Sequence, residues 1–181
     1  MAHDTIHLCV TQDIDTGEMK VWKAPTGLWD YLKDATLIAA HNGISFDFPI
    51  LNKLWKTKIG LKQAYDTLVV SRLIEPTRDG GHSLDAWGKT LGTEKIDYKA
   101  EWETLMGRKE EYNGECYDNP NVALLNGYCE RDVDVLVRVF KHVEKKLEGF
   151  YETYNKDLFP LKEDQLNKEC LELEHQIASI M

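Results

Sequence analysis

Cysteine is scarce and dispersed in this chain: Cys9, Cys116, Cys129 and Cys170 lie far apart and form no C-x-x-C pair. That scatter argues against a disulfide framework or a cysteine-held zinc and points to reduced thiols in a cytoplasmic protein. Long apolar runs are also lacking. None approaches the roughly 18–20 residues of a membrane span, so a membrane partner is not expected. The opening MAHDTIHLCV has no basic region ahead of an apolar stretch, so it does not read as a secretory signal. Positive charge is in deficit: 22 Lys and Arg stand against 31 Asp and Glu, for a net charge of −9. A protein that coats duplex DNA through its phosphates is usually basic. The balance disfavours that class but suits an enzyme that grips a few nucleotides.

What is present is a globular composition, 43% hydrophobic and 29% charged, without repeats or low-complexity tracts. Thr5 to Thr11 alternates as a strand does, Asp13-Ile14-Asp15-Thr16-Gly17 reads as a turn, and Glu18 to Lys23 as the returning strand. A short helix is expected at Leu28–Leu32, then a buried strand at Thr36–Ala40 and a helix over Phe46–Trp55 with Pro49 in its first turn. Asp66 and Ser83 are placed to cap helices running to Leu73 and Leu91, the second closed by Gly92. Residues 92–120 read as a polar, irregular excursion with one helix over Ala100–Met106. From Asn121 a long helix carries the stripe Val122, Leu125, Cys129, Val133, Leu136, Phe140, Val143 and Leu147. Beyond Pro160 a last helix has the stripe Leu166, Cys170, Leu173, Ile177 and Ile180. The order of elements predicts an α/β layer fold.

Two constellations carry chemistry. His41-Asn42-Gly43-Ile44-Ser45-Phe46-Asp47 leaves a buried strand and enters a helix, which puts a carboxylate where α/β folds place ligands. Tyr128-Cys129-Glu130-Arg131-Asp132 lies in the long helix, where four-residue spacing aims Tyr128 and Asp132 from one face. A carboxylate there suits a hard metal ion, and a phenol can orient water. Taken singly, each constellation also fits a helix-start acid or a tyrosine at the core edge.

Together they resemble the DEDD exonucleases of the tyrosine subclass. Asn42, Phe46 and Asp47 match that family's N-x-x-x-F/Y-D motif, and Tyr128 and Asp132 its Y-x-x-x-D motif. Between them, Tyr65 to Ile74 and His82 to Gly88 look like the exonuclease domains of phage family A DNA polymerases. The resemblance runs in order from residue 5 to about 148. It implies an RNase H-like fold, a central mixed sheet flanked by helices, over residues 1–158. It also implies a 3′–5′ exonuclease acting on the single-stranded 3′ end of DNA. Asp47 and Asp132 would hold two magnesium or manganese ions between them and further ligands, Tyr128 would position the attacking water, and Asn42 and Phe46 would shape the nucleotide pocket. Residues 159–181, with Leu171 to Ala178, look like the helix that opens the polymerase portion. That implies a polymerase domain, or a second copy of the chain, as the partner of the last stripe, in a phage protein made in a bacterial host.

One part of the family pattern is missing. Its first motif, D-x-E, supplies two of four carboxylates, and the nearest match here, Asp13-Ile14-Asp15, falls in the hairpin turn. The resemblance therefore implies that the pair lies upstream of Met1 or is lost, leaving an unpaired edge at the hairpin. The alternative from another class is a non-catalytic module that binds DNA or a polymerase.

Overall fold

A computed structural model describes residues 5–158, and the side chains of 149–158 are not considered. Strands β1 (Cys9–Gln12) and β2 (Met19–Trp22) form an antiparallel hairpin in which Cys9 faces Trp22 and Gln12 faces Met19. The turn is built by Asp13, whose Oδ1 accepts from the Asp15 and Thr16 amides and from the Thr16 hydroxyl. These donors hold the Asp13 carboxyl below its ordinary pKa. Asp13 is thus occupied in shaping a turn, as its sequence context suggested. Thr5 to Leu8, expected as the start of β1, extends past the end of β2 and finds no ladder partner there.

Helix α1 (Leu28–Leu32) leads to β3 (Ile38–Ala40), followed by α2 (Asp47–Leu54) and β4 (Ala64–Asp66). β3 and β4 pair in parallel, Ala40 opposite Asp66, with α2 in the crossover between them. β4 was not anticipated, because three fully buried residues give no alternation to read. The described residues hold two separate two-stranded ladders, β1–β2 and β3–β4, where one central mixed sheet was expected. The fold is mixed α/β.

Helices α3 (Thr67–Ile74) and α4 (Leu84–Thr90) begin where their caps predicted. Asp66 accepts from the Leu68 amide and Ser83 from the Ala86 amide. His82 and Trp87 meet at Ser71: His82 Nδ1 lies 2.6 Å from the Ser71 hydroxyl, which accepts from Trp87 Nε1 at 2.9 Å. This buried junction ties α3 to α4, so His82 serves the fold.

The excursion holds α5 (Tyr98–Met106) and the short α6 (Glu115–Asp118). Its aromatic residues are structural. Tyr98, Trp102 and Cys116 are buried and pack with Leu8 and Leu125 into a core of their own. The Tyr98 hydroxyl donates to the Cys116 carbonyl and Trp102 Nε1 to the Asn119 carbonyl.

Helix α7 (Val122–Leu158) packs against β1, α3, α4 and α5. Its fully buried ridge is Val135, Val139 and Val143, set against Tyr65, Val70 and Trp87. The expected stripe is therefore too narrow. Val122 at its head is exposed, whereas Val133 and Leu136 line an open groove. The helix is wedged between two bodies and buries more than one seam, so a single stripe could not describe it. Among the described residues no helix is long and apolar enough to cross a membrane. The helix expected beyond Pro160 lies outside the described residues.

Candidate functional site

The groove, of about 650 Å³, runs between the two ladders. One wall is Thr5 to Thr11, the other is Ile38 to His41, and α7 forms its floor. β1 and β3 each have a ladder partner on one side only, so their edges are unpaired. Phe46, Asp47, Tyr128 and Asp132 all line this groove. The structure thus gathers residues from two elements some eighty positions apart. Asn42 is exposed and stands outside the lining.

The loop that delivers Phe46 and Asp47 is held by Asp66, which is 1% exposed. Its Oδ1 accepts from the Asn42 amide at 2.8 Å and the Leu68 amide at 3.0 Å, and its Oδ2 from the Ile44 amide at 3.1 Å. One carboxylate caps α3 and also clamps the loop beyond β3. Asn42 adopts φ 66°, a left-handed conformation that asparagine tolerates better than most residues. Gly43 follows because a Cβ there would fall 2.3 Å from that of Ala40. Phe46 then stands at the start of α2 with 47% of its surface exposed.

Burial pushes the Asp47 carboxyl up to about 6, with Asp66 adding repulsion. The residue as a whole is exposed, so solvent reaches one side of it and softens this effect. A carboxyl whose pKa is higher in the folded than in the unfolded state opposes folding once ionised. Between about 4 and 6 the folded chain holds more protons, and stability falls as pH rises. Asp47→Asn removes this penalty. Chemical denaturation should find the variant more stable than the parent at pH 8, with the difference gone near pH 3.5.

Burial likewise raises the Asp132 carboxyl, against the lowering effects of Lys95 and Tyr128. The Tyr128 hydroxyl is pushed well above its ordinary value by burial and by Asp132, so it is a phenol at neutral pH. Lys95 is the side chain that sequence reasoning missed. Its Nζ lies 2.8 Å from Asp132 Oδ2 and 3.3 Å from the Tyr128 hydroxyl. It arrives on the loop after α4, which Thr93 anchors by donating its amide to the Gly88 carbonyl at 2.8 Å. A Cβ on Gly88 would sit 2.6 Å from the Thr93 carbonyl oxygen. Alanine is the better helix former by about 1 kcal/mol, yet Gly88→Ala should lower stability by roughly 1–3 kcal/mol through overpacking, measured by urea denaturation.

The two carboxylates do not amount to a two-metal centre. Asp132 Oδ2 is engaged by Lys95, and no group of three or more metal-ligating side chains occurs among the described residues. Asp132 Oδ1, in contrast, is buried without a hydrogen-bond partner. The described donors therefore fall short of what two hard cations require.

Comparison with known proteins sets this geometry in context. The chain is 33% identical over 105 residues to the DNA-directed DNA polymerase of Enterobacteria phage T3, covering 45% of this chain and 15% of that enzyme. It is 34% identical over 100 residues to the DNA-directed DNA polymerase of Escherichia phage T7, covering 42% of this chain and 14% of that enzyme. This chain contains a region related to phage DNA polymerases. It spans about one seventh of the length of these curated relatives. No protein-family model matches it.

Proposed function

We propose that this chain is the 3′–5′ exonuclease portion of a phage-type DNA polymerase and that its groove receives the single-stranded 3′ end of DNA. The observation that carries this reading is the convergence of Phe46, Asp47, Tyr128 and Asp132 on one groove. Phe46 offers an exposed ring on which a terminal base can stack. The Tyr128 phenol beside Asp132 orients a water toward the terminal phosphodiester. Asp47 and Asp132 are the carboxylates to which the resemblance assigns magnesium or manganese, and further oxygen ligands are needed for that role. The groove bears on their source. It opens between the unpaired edges of β1 and β3, where one more strand carrying D-x-E would seat. A phage DNA polymerase domain is the partner this reading implies, and the host cytoplasm its place of action.

The Lys95–Asp132 ion pair and the short donor set favour a second reading, a module that binds a DNA end without cutting it. Binding and cleavage separate the two. Anisotropy of a fluorescent single-stranded oligonucleotide in EDTA should show binding that Phe46→Ala weakens by roughly tenfold, since one stacked base contributes on the order of 1–3 kcal/mol. Tyr128→Phe should leave that affinity largely intact, because the phenol acts on water. No binding by the parent chain would rule out both readings.

A further inference from the structure

Tyr128 and Asp132 share a partner that belongs to neither of their motifs. Lys95 Nζ is 2.8 Å from Asp132 Oδ2 and 3.3 Å from the Tyr128 hydroxyl, and it lies 5.2 Å from the centre of the Tyr128 ring. It is the only lysine or arginine among the residues that line the groove. The ion pair is mostly shielded, with 20% of the lysine side chain and 23% of the aspartate side chain exposed. Asp132 is thus asymmetric: Oδ2 faces an ammonium, and Oδ1 is buried with no hydrogen-bond partner.

A lysine ammonium is a compact point charge on a flexible stem, able to fill a cation position and to leave it. A divalent ion approaching Oδ1 would meet that charge within a few ångströms, in surroundings where solvent screens poorly. One carboxylate cannot hold both cations well. We propose that Lys95 is an intramolecular competitor of divalent metal at Asp132. In the metal-free groove its ammonium takes the cation's position and orients both Asp132 and Tyr128. When a metal binds, Lys95 leaves Asp132. Lys95 is on this account a positioning residue, and it sets how much metal the groove needs. The proposal rests on the reading of Asp132 as a metal ligand, but its test needs neither DNA nor cleavage.

Manganese binding to the purified chain, followed by the electron paramagnetic resonance of free Mn2+, supplies the test. Lys95→Met should bind Mn2+ at least about tenfold more tightly than the parent. Lys95→Arg keeps the charge and should match the parent's weak binding. Asp132→Asn, alone or combined with Lys95→Met, should lose the site. Should Lys95→Met fold poorly, as judged by its melting temperature, Lys95→Gln removes the charge while keeping a polar end and should show the same gain. Equal or weaker binding in the neutral variants, with loss in Asp132→Asn, would overturn the competition and leave Asp132 a ligand. Binding that is absent throughout, or indifferent to Asp132→Asn, would overturn both.

Discussion

Asp66→Ala should lower the melting temperature by on the order of ten degrees, the largest loss expected from a single side chain in this fold. Its carboxylate accepts from three backbone amides, those of Asn42, Ile44 and Leu68. Removing it strands donors in a site where the residue is 1% exposed. Each unsatisfied buried donor costs about 1–3 kcal/mol. Because the three share one loop and one helix start, their costs combine to roughly 3–5 kcal/mol rather than a full sum. In a chain of this size each kcal/mol shifts the melting temperature by about 2–4 °C. Asp66→Asn retains one oxygen acceptor and should fall between the two. A loss under about 1 kcal/mol in Asp66→Ala would mean that the amides find water instead and that the clamp is not structural. The clamp also links stability to the site, because the same loop carries Phe46 and Asp47. Oligonucleotide affinity should therefore fall in Asp66→Ala at temperatures well below its melting point.

Single-stranded DNA should survive incubation of this chain with magnesium, with cleavage slower by on the order of a hundredfold or more than in a chain given a D-x-E strand ahead of Thr5. The expectation follows from the donor set. Asp47 and Asp132 line the groove, Lys95 already engages Asp132, and no third metal-ligating residue joins them among the described residues. A hard cation such as magnesium keeps its waters unless several oxygens hold it in good geometry. The added strand has a place to go, between the unpaired edges of β1 and β3. In that extended chain Asp47→Ala and Asp132→Ala should each nearly abolish the release of labelled 3′ nucleotides, while Tyr128→Phe lowers turnover more than affinity. Fast magnesium-dependent digestion by residues 1–181, lost on Asp132→Ala, would mean that other groups complete the site. Slow digestion that the added strand leaves unchanged would favour the binding module.

Local physics made much of this readable from the residues alone. Helix phase places Tyr128 and Asp132 on one face whatever lies opposite, and both line the groove. Capping depends on neighbours two or three residues away, so Asp66 and Ser83 marked the starts of α3 and α4 correctly. The turn at Asp13 was equally plain, since its bonds stay within three residues. Other features arise only when distant segments meet. β4 is a strand because it pairs with β3, and its three buried residues carry no periodic signal. The second role of Asp66, clamping the Asn42–Ile44 loop, spans more than twenty residues and leaves no local trace. The buried ridge of α7 is turned from its expected stripe because α3 and α4 press on one side and the groove opens on another. Lys95 is the clearest case. In sequence it is one lysine in a polar excursion, and it becomes part of the candidate site only because Gly88 lets Thr93 approach closely and carry the next loop to Asp132.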